Sequence, residues 1–124
     1  MLRTSILLSF LVSFNSPAAA QPAAPLPKVV LVGDSIRLGY APIVARKLEG
    51  MAIVSSPEPN GGDSANVLGN LDAWVLREKP DVVHFNAGLH DLKVARTSRR
   101  HQVALDEYEA NLHEIVGRAR AELF

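Results

Sequence analysis

The sequence predicts a three-layer α/β/α fold built on a parallel sheet that is incomplete at its C-terminal end. After Pro27, the chain alternates three times between a short apolar run and a longer segment with helical spacing. Successive strand–helix units favour parallel strands, right-handed crossovers and helices on both faces of the sheet. A polar loop follows each apolar run, at the sheet edge where ligands bind in such folds.

The first unit begins with a β-branched run from Lys28 to Val32, which is typical of a buried strand. Helical spacing extends from Tyr40 to Leu48, and Pro42 suits the first turn of this helix. Arg37, between the two, is expected either at the mouth of a pocket or exposed to solvent.

The second unit begins with a strand over Met51 to Ser56, followed by a turn-rich loop. Ser64 is expected to cap a helix that extends to about Glu78. The apolar stripe of this helix, which is expected to face the core, consists of Val67, Leu68, Leu71, Trp74 and Val75.

The third unit has a strand and a glycine turn over Pro80 to Gly88, then a polar loop and a helix from about His101 onwards. Three strands leave at least one sheet edge open. Two further units of roughly 30 residues each would complete such a sheet, so we expect a truncated sequence.

The composition is that of one packed domain. The 124 residues have a formal net charge of zero and 48% of them are hydrophobic, without the basic excess typical of nucleic-acid binding. The chain has no cysteine, which excludes disulfides and thiolate metal ligands.

Residues 1–20 have the layout of a secretory signal peptide, with a basic start, a short apolar run and small residues before cleavage after Ala20. The apolar run is shorter than the roughly 20 residues that span a bilayer, and a retained anchor is the alternative. Residues 21–27 would be a linker to a domain over residues 28–124. We expect a secreted or periplasmic bacterial protein without membrane contact after cleavage.

The three polar loops contain the candidate functional residues. In the first, Ser35 would stand near a helix N-terminus, where backbone N–H groups and the helix dipole favour an oxyanion. In the second, the Gly62 amide could donate to the same oxyanion. The third loop brings together Asn86, His90 and Asp91. For each loop taken alone, a helix cap or an ordinary polar turn is the alternative.

Together, these loops resemble three sequence blocks of the SGNH hydrolases, also called GDSL esterases and lipases. The stretch "GDSIRLGY" is similar to the first block, which implies that Ser35 is the nucleophile. The stretch "NGGDS" is similar to the second, which implies an oxyanion-hole role for the amide of Gly62, with Gly61 the weaker match. The stretch "GLHD" is similar to the third block, usually Gly-x-Asn-Asp. The expected supporting residues are Asp34, Asn60, Asn86 and Asp91.

The resemblance covers roughly Lys28 to Leu92 and implies a flavodoxin-like sheet and a serine ester hydrolase acting on a small-molecule ester of a lipid or carbohydrate. It implies no metal or organic cofactor. In the third block, His90 replaces the oxyanion-hole asparagine. A neutral imidazole still donates one N–H, so we expect His90 to keep the donor role; a damaged oxyanion hole and an improvised base are the alternatives.

The Asp-x-x-His block of the family, whose histidine is the general base, has no match after the third block. The formal match from Asp81 to His84 lies in a predicted strand, where these two side chains point to opposite faces. His101 and His113 are expected to face solvent. A catalytically inactive remnant or a small-ligand binding module is therefore the alternative function, and a nucleotide-binding domain is disfavoured because no Gly-x-Gly-x-x-Gly follows the first strand.

Overall fold

The structure is a computed structural model that describes residues 24–124. The predicted signal peptide and the first part of the predicted linker lie outside the described residues. Within residues 24–124, no helix is both long and apolar enough to cross a lipid bilayer.

The three predicted strands form one parallel sheet, as expected. Strand β1 (Lys28–Gly33) lies between β2 (Ile53–Ser55) and β3 (Val82–Asn86). Val30 of β1 pairs with Ser55 on one side and Val83 on the other. Because β1 is central, the side chains of Val30, Leu31 and Val32 are almost fully buried.

Strand β2 is shorter than predicted. The amides of Met51 and Ala52 bond back to the carbonyl of Leu48 and form a turn, so these residues are not available to extend the strand.

The helices differ more from the prediction. Helix α1 spans Ser35–Lys47 and therefore begins five residues before Tyr40, with Pro42 inside it rather than in its first turn. Ile43, which lies inside the predicted helical segment, is largely exposed, and the buried residues of α1 are Arg37 and Ala41. The helix begins early because the Asp34 side chain caps the Ile36 amide.

The single helix predicted over residues 64–78 is three short segments: α2 (Ser64–Gly69), α3 (Leu71–Trp74) and a 3-10 turn (Leu76–Glu78). The break after α2 follows Gly69 and Asn70, both of which disfavour a helix interior. The N-cap of α2 is Asp63, which accepts from the Asn66 amide at 2.8 Å, and not Ser64.

The last helix, α4 (Leu105–Leu123), begins four residues after His101. The residues just before it are not helical. His101 forms an antiparallel bridge with Val94, and the Gln102 amide donates to the Lys93 carbonyl.

One face of the sheet packs on α2, α3 and α4, while α1 packs on β1 and β2. The predicted stripe of the second unit does face the core: three of its members are almost fully buried, and Leu68 and Trp74 pack against them. The buried core residues are Val30, Val32, Val67, Leu71, Val75, Leu76 and Ile115. Within the described residues, β3 pairs only with β1, so its outer edge is open.

Candidate active site

Ser35 is the first residue of α1 and is exposed at the carboxyl end of β1. The residue before it, Asp34, is the N-cap: its Oδ1 atom accepts from the Ile36 amide at 2.9 Å. The capping role therefore belongs to Asp34, and the Ser35 side chain stands at the positive end of a 13-residue helix.

The first and second loops are in direct contact. The Gly61 amide donates to the Gly33 carbonyl at 2.8 Å. A Cβ atom at position 61 would lie 2.5 Å from the same carbonyl oxygen, so only glycine permits this approach.

Arg37 joins the same two loops and is buried rather than exposed to solvent. Its side chain is 1% exposed. The guanidinium donates to the carbonyls of Gly33, Pro57 and Pro59 and to the Ser56 hydroxyl, at 2.6 to 3.3 Å. These contacts were not predictable from the sequence, because the acceptors in Ser56, Pro57 and Pro59 lie 19 to 22 residues away along the chain.

The third loop is tied to both of the others. The Asn86 side-chain amide donates to Asp34 at 3.0 Å, and the Ser64 amide donates to Asp91 at 2.9 Å. The Ser64 hydroxyl also bonds to Asp91 and accepts from Asn111 of α4 at 3.0 Å. Asn111 was not predicted from the sequence; the available signal was a polar residue four positions before the apolar Ile115, on the same helix face.

The candidate oxyanion donors lie on these joined loops. Gly62 has φ of +61°, a left-handed conformation that favours glycine, and its amide donates to the side chain of Asn60 at 2.9 Å. His90 is half-buried in the third loop.

The Asp34 carboxyl accepts hydrogen bonds from groups of the first and third loops, and these bonds change its pKa. Burial opposes its ionisation, but hydrogen bonds from Asn86 and from the amides of Ile36 and Arg37 outweigh that effect. Together with the positive charge of His90 when protonated, they hold the pKa of Asp34 below its usual value. The carboxyl is therefore ionised at neutral pH.

Three of the four histidines have partners away from Ser35. His84 contacts the Tyr40 hydroxyl at 2.7 Å, His101 contacts the Leu92 carbonyl at 3.0 Å, and His113 is exposed beside Glu109. Asp81 accepts from the backbone amide of Lys28, so the formal Asp-x-x-His match has different partners for its two side chains. Within residues 24–124, no three His, Asp or Glu side chains are arranged to hold a metal ion.

No model of a known protein family matches the sequence, and no curated protein matches it. The structure is similar to three solved structures: an acetyl xylan esterase (TM-score 0.63, 20% identity), a proposed acylhydrolase from Bacteroides fragilis (0.60, 22%) and a GDSL-like lipase from Bacteroides thetaiotaomicron (0.63, 22%). The similarity covers 77%, 81% and 86% of this chain, respectively.

The same matches cover 53%, 48% and 50% of those three proteins, so the chain spans about half their length. The TM-scores of 0.60 to 0.63 nevertheless indicate a common fold over the matched part. The chain therefore has the α/β fold of the SGNH hydrolases over the part that it covers, and the resemblance seen in the three polar loops is confirmed at the level of the fold.

Proposed function

We propose that this chain supplies the nucleophile and the oxyanion hole of a serine ester hydrolase. The observation that supports this most directly is the position of Ser35: its side chain is exposed at the N-terminus of α1, on a loop bonded to both other polar loops. A helix N-terminus with free backbone donors stabilises developing negative charge.

In the proposed reaction, the Ser35 hydroxyl attacks the ester carbonyl carbon and passes its proton to a general base. The resulting oxyanion accepts hydrogen bonds from the Ser35 and Gly62 amides and from the His90 imidazole. The base returns the proton to the leaving alcohol, which leaves an acyl-enzyme on Ser35. A water molecule, deprotonated by the same base, then releases the acid.

The Gly62 amide has a prior partner in this scheme. It donates to Asn60 Oδ1 at 2.9 Å, and we expect the substrate oxyanion to replace or share that bond. Asn60 would then be a supporting residue that holds the turn before substrate binds.

We propose that the general base belongs to an Asp/His pair on another polypeptide segment. That segment would correspond to the half of the neighbouring structures that this chain does not match. Two observations support this: His84 and His101 are hydrogen-bonded elsewhere and His113 is exposed beside Glu109, and the outer edge of β3 is open within the described residues. A serine hydroxyl without a base is a weak nucleophile at neutral pH.

The proposed substrate is a small-molecule acyl or acetyl ester of a carbohydrate or lipid. The names of the neighbours, an acetyl xylan esterase and a GDSL-like lipase, are compatible with both. Export to the periplasm or medium is proposed from the pattern of residues 1–20. N-terminal sequencing of the mature protein tests it, and the expected first residue is Gln21.

The test of function is hydrolysis of p-nitrophenyl acetate by the full chain, with and without added imidazole as a substitute base. We expect imidazole to raise the rate of the parent chain above the sum of the separate rates. Ser35→Ala should abolish that excess, because no acyl-enzyme can form without the serine hydroxyl. Ser98→Ala, which alters an exposed serine far along the chain, is the control.

The second candidate is a catalytically inactive small-ligand binding module of the same fold, favoured by the other partners of the histidines. Saturable ester binding without any Ser35-dependent turnover, even with imidazole, would support the module and contradict the hydrolase.

A further inference from the structure

Four side chains form a continuous hydrogen-bonded chain from β3 to the turn that contains Ser35. His84 contacts the Tyr40 hydroxyl at 2.7 Å, the Tyr40 hydroxyl bonds to Asn86 at 3.1 Å, and Asn86 bonds to Asp34 at 3.0 Å. Asp34 in turn accepts from the Ile36 amide at the first turn of α1.

The direction of this chain follows from its charged end. An ionised carboxylate only accepts hydrogen bonds, so Asn86 must present its NH₂ group to Asp34 and its oxygen to Tyr40. Tyr40 has one hydroxyl proton, which it therefore donates to Asn86. The contact between Tyr40 and His84 is then satisfied only if His84 donates its Nε2 proton.

We propose that His84, Tyr40 and Asn86 are positioning residues, which form a one-way hydrogen-bond chain that holds Asp34 and thereby the turn containing Ser35. The proposal deepens the function proposed above and rests on it, because it explains how the nucleophile turn is held against the third loop. None of these three residues contacts the reacting atoms in this scheme.

The placement of the two middle residues supports a positioning role. Tyr40 lies in α1 and Asn86 ends β3, so their bond joins the helix that begins at Ser35 to the strand that leads into the third loop. The Tyr40 and His84 rings are also packed edge to face, with centroids 5.6 Å apart and planes at 81°. Asp34 is 1% exposed, and at this low exposure a lost partner is not replaced freely by water.

The other neutral tautomer of His84 shows which hydrogen bond depends on the proposed arrangement. With its proton on Nδ1, neutral His84 would present a lone pair to Tyr40 and accept the hydrogen bond from the Tyr40 hydroxyl. The Asn86 oxygen would then lose its donor, and the bond to Asp34 alone would hold the side-chain amide.

The test is nuclear magnetic resonance on the full ¹⁵N-labelled chain at neutral pH, with hydrogen exchange of backbone amides. We expect His84 to bear its proton on Nε2. In Tyr40→Phe, the Ile36 amide should exchange about five to ten times faster than in the parent, because its acceptor Asp34 is held less firmly. The Val32 amide in the core is the internal reference.

Variants at His84 separate a donor role from simple packing. His84→Ala should raise Ile36 exchange by about two- to fivefold, and His84→Gln, whose side-chain N–H replaces the imidazole donor, should restore it. Tyr108→Phe removes the other tyrosine hydroxyl, which bonds to Ala87, and should leave Ile36 unchanged.

Three results would overturn the proposal: a proton on Nδ1 of His84, equal effects of the Ala and Gln variants, or equal acceleration at Ile36 and Val32. Because amide exchange needs no turnover, a chain without esterase activity but with this exchange pattern contradicts the proposed function and not the hydrogen-bond chain. Where the parent does hydrolyse ester, Tyr40→Phe should lower kcat and leave KM nearly unchanged.

Discussion

Arg37 is a buried cation that binds neutral acceptors. Its guanidinium donates to three backbone carbonyls and one hydroxyl. Burial lowers the pKa of Arg37, and the nearby Tyr40 and Asp34 oppose that change. The side chain remains protonated, so it joins the loop after β1 to the loop after β2 through charge-assisted hydrogen bonds.

We expect Arg37→Met to lower the free energy of unfolding by about 3 kcal/mol, because the part-buried carbonyls of Pro57 and Pro59 would lose their charged donor and the two loops would lose their link. Urea unfolding measures the change. Arg46→Met, on the exposed side of the same helix, is the control and should stay within about 0.5 kcal/mol of the parent. Equal losses in the two variants would show that Arg37 is not a structural link.

Among the elements, α1 is held in place mainly by its ends. Ile36, Leu38 and Ile43 are exposed to at least 38%, so no continuous apolar stripe attaches the helix to the sheet. Instead, Asp34 caps the N-terminus, and Arg46 and Lys47 lie in the last turn, where positive charge is favourable.

This arrangement makes the stability of α1 depend on pH. The pKa of Asp34 is lower in the folded chain than its ordinary value of 3.8, so the ionised carboxyl contributes stability above that value. The contribution is lost as the pH falls from 3.8 through the lower folded value.

We therefore expect Asp34→Asn to be less stable than the parent by about 1 kcal/mol at pH 7 and the difference to shrink towards pH 3. Urea unfolding of both proteins at several pH values provides the measurement. A difference that stays constant with pH would contradict the assignment of the ionised cap.

For the molecule as a whole, stability depends on α4 closing the core over the sheet. Ile115 of α4 is 3% exposed and packs in the same cluster as Val30 and Val32 of β1. One turn earlier, Asn111 bonds to Ser64, so the same helix face closes the core and supports the second and third loops.

Ile115→Ala should therefore lower the free energy of unfolding by about 3 kcal/mol, as expected for a cavity in a packed core. The neighbouring Val116 is 41% exposed, and Val116→Ala should cost less than about 1 kcal/mol. Thermal or urea unfolding distinguishes them; similar costs at both positions would mean that α4 does not close the core in this way.

The sheet was predictable because strand patterns are local. Runs such as residues 28–32 and 82–86 are rich in valine and other apolar residues whatever lies around them, and their alternation with helices implies parallel pairing. The polar loops after the strands were predictable for the same reason, since the carboxyl ends of parallel strands share one edge.

Helix boundaries were less predictable. The start of α1 at Ser35 depends on Asp34, whose carboxylate is held in its capping orientation by Asn86, 52 residues away. The early start of the predicted α4 at His101 was wrong because the bridge to Val94 is a tertiary contact. Helix propensity is a property of the local sequence, so it cannot account for partners that are distant along the chain.

The amino-acid order alone was enough to identify the parallel α/β class, the position of Ser35 after a buried strand and the similarity of three loops to an esterase family, because each of these is encoded in short stretches. Folding in three dimensions established the rest: that Arg37 is buried, that Asp63 rather than Ser64 caps α2, and that His84, Tyr40, Asn86 and Asp34 are bonded in series. These outcomes depend on partners far apart in the chain, and a polar side chain acquires its role only when folding removes water and supplies the partner that replaces it.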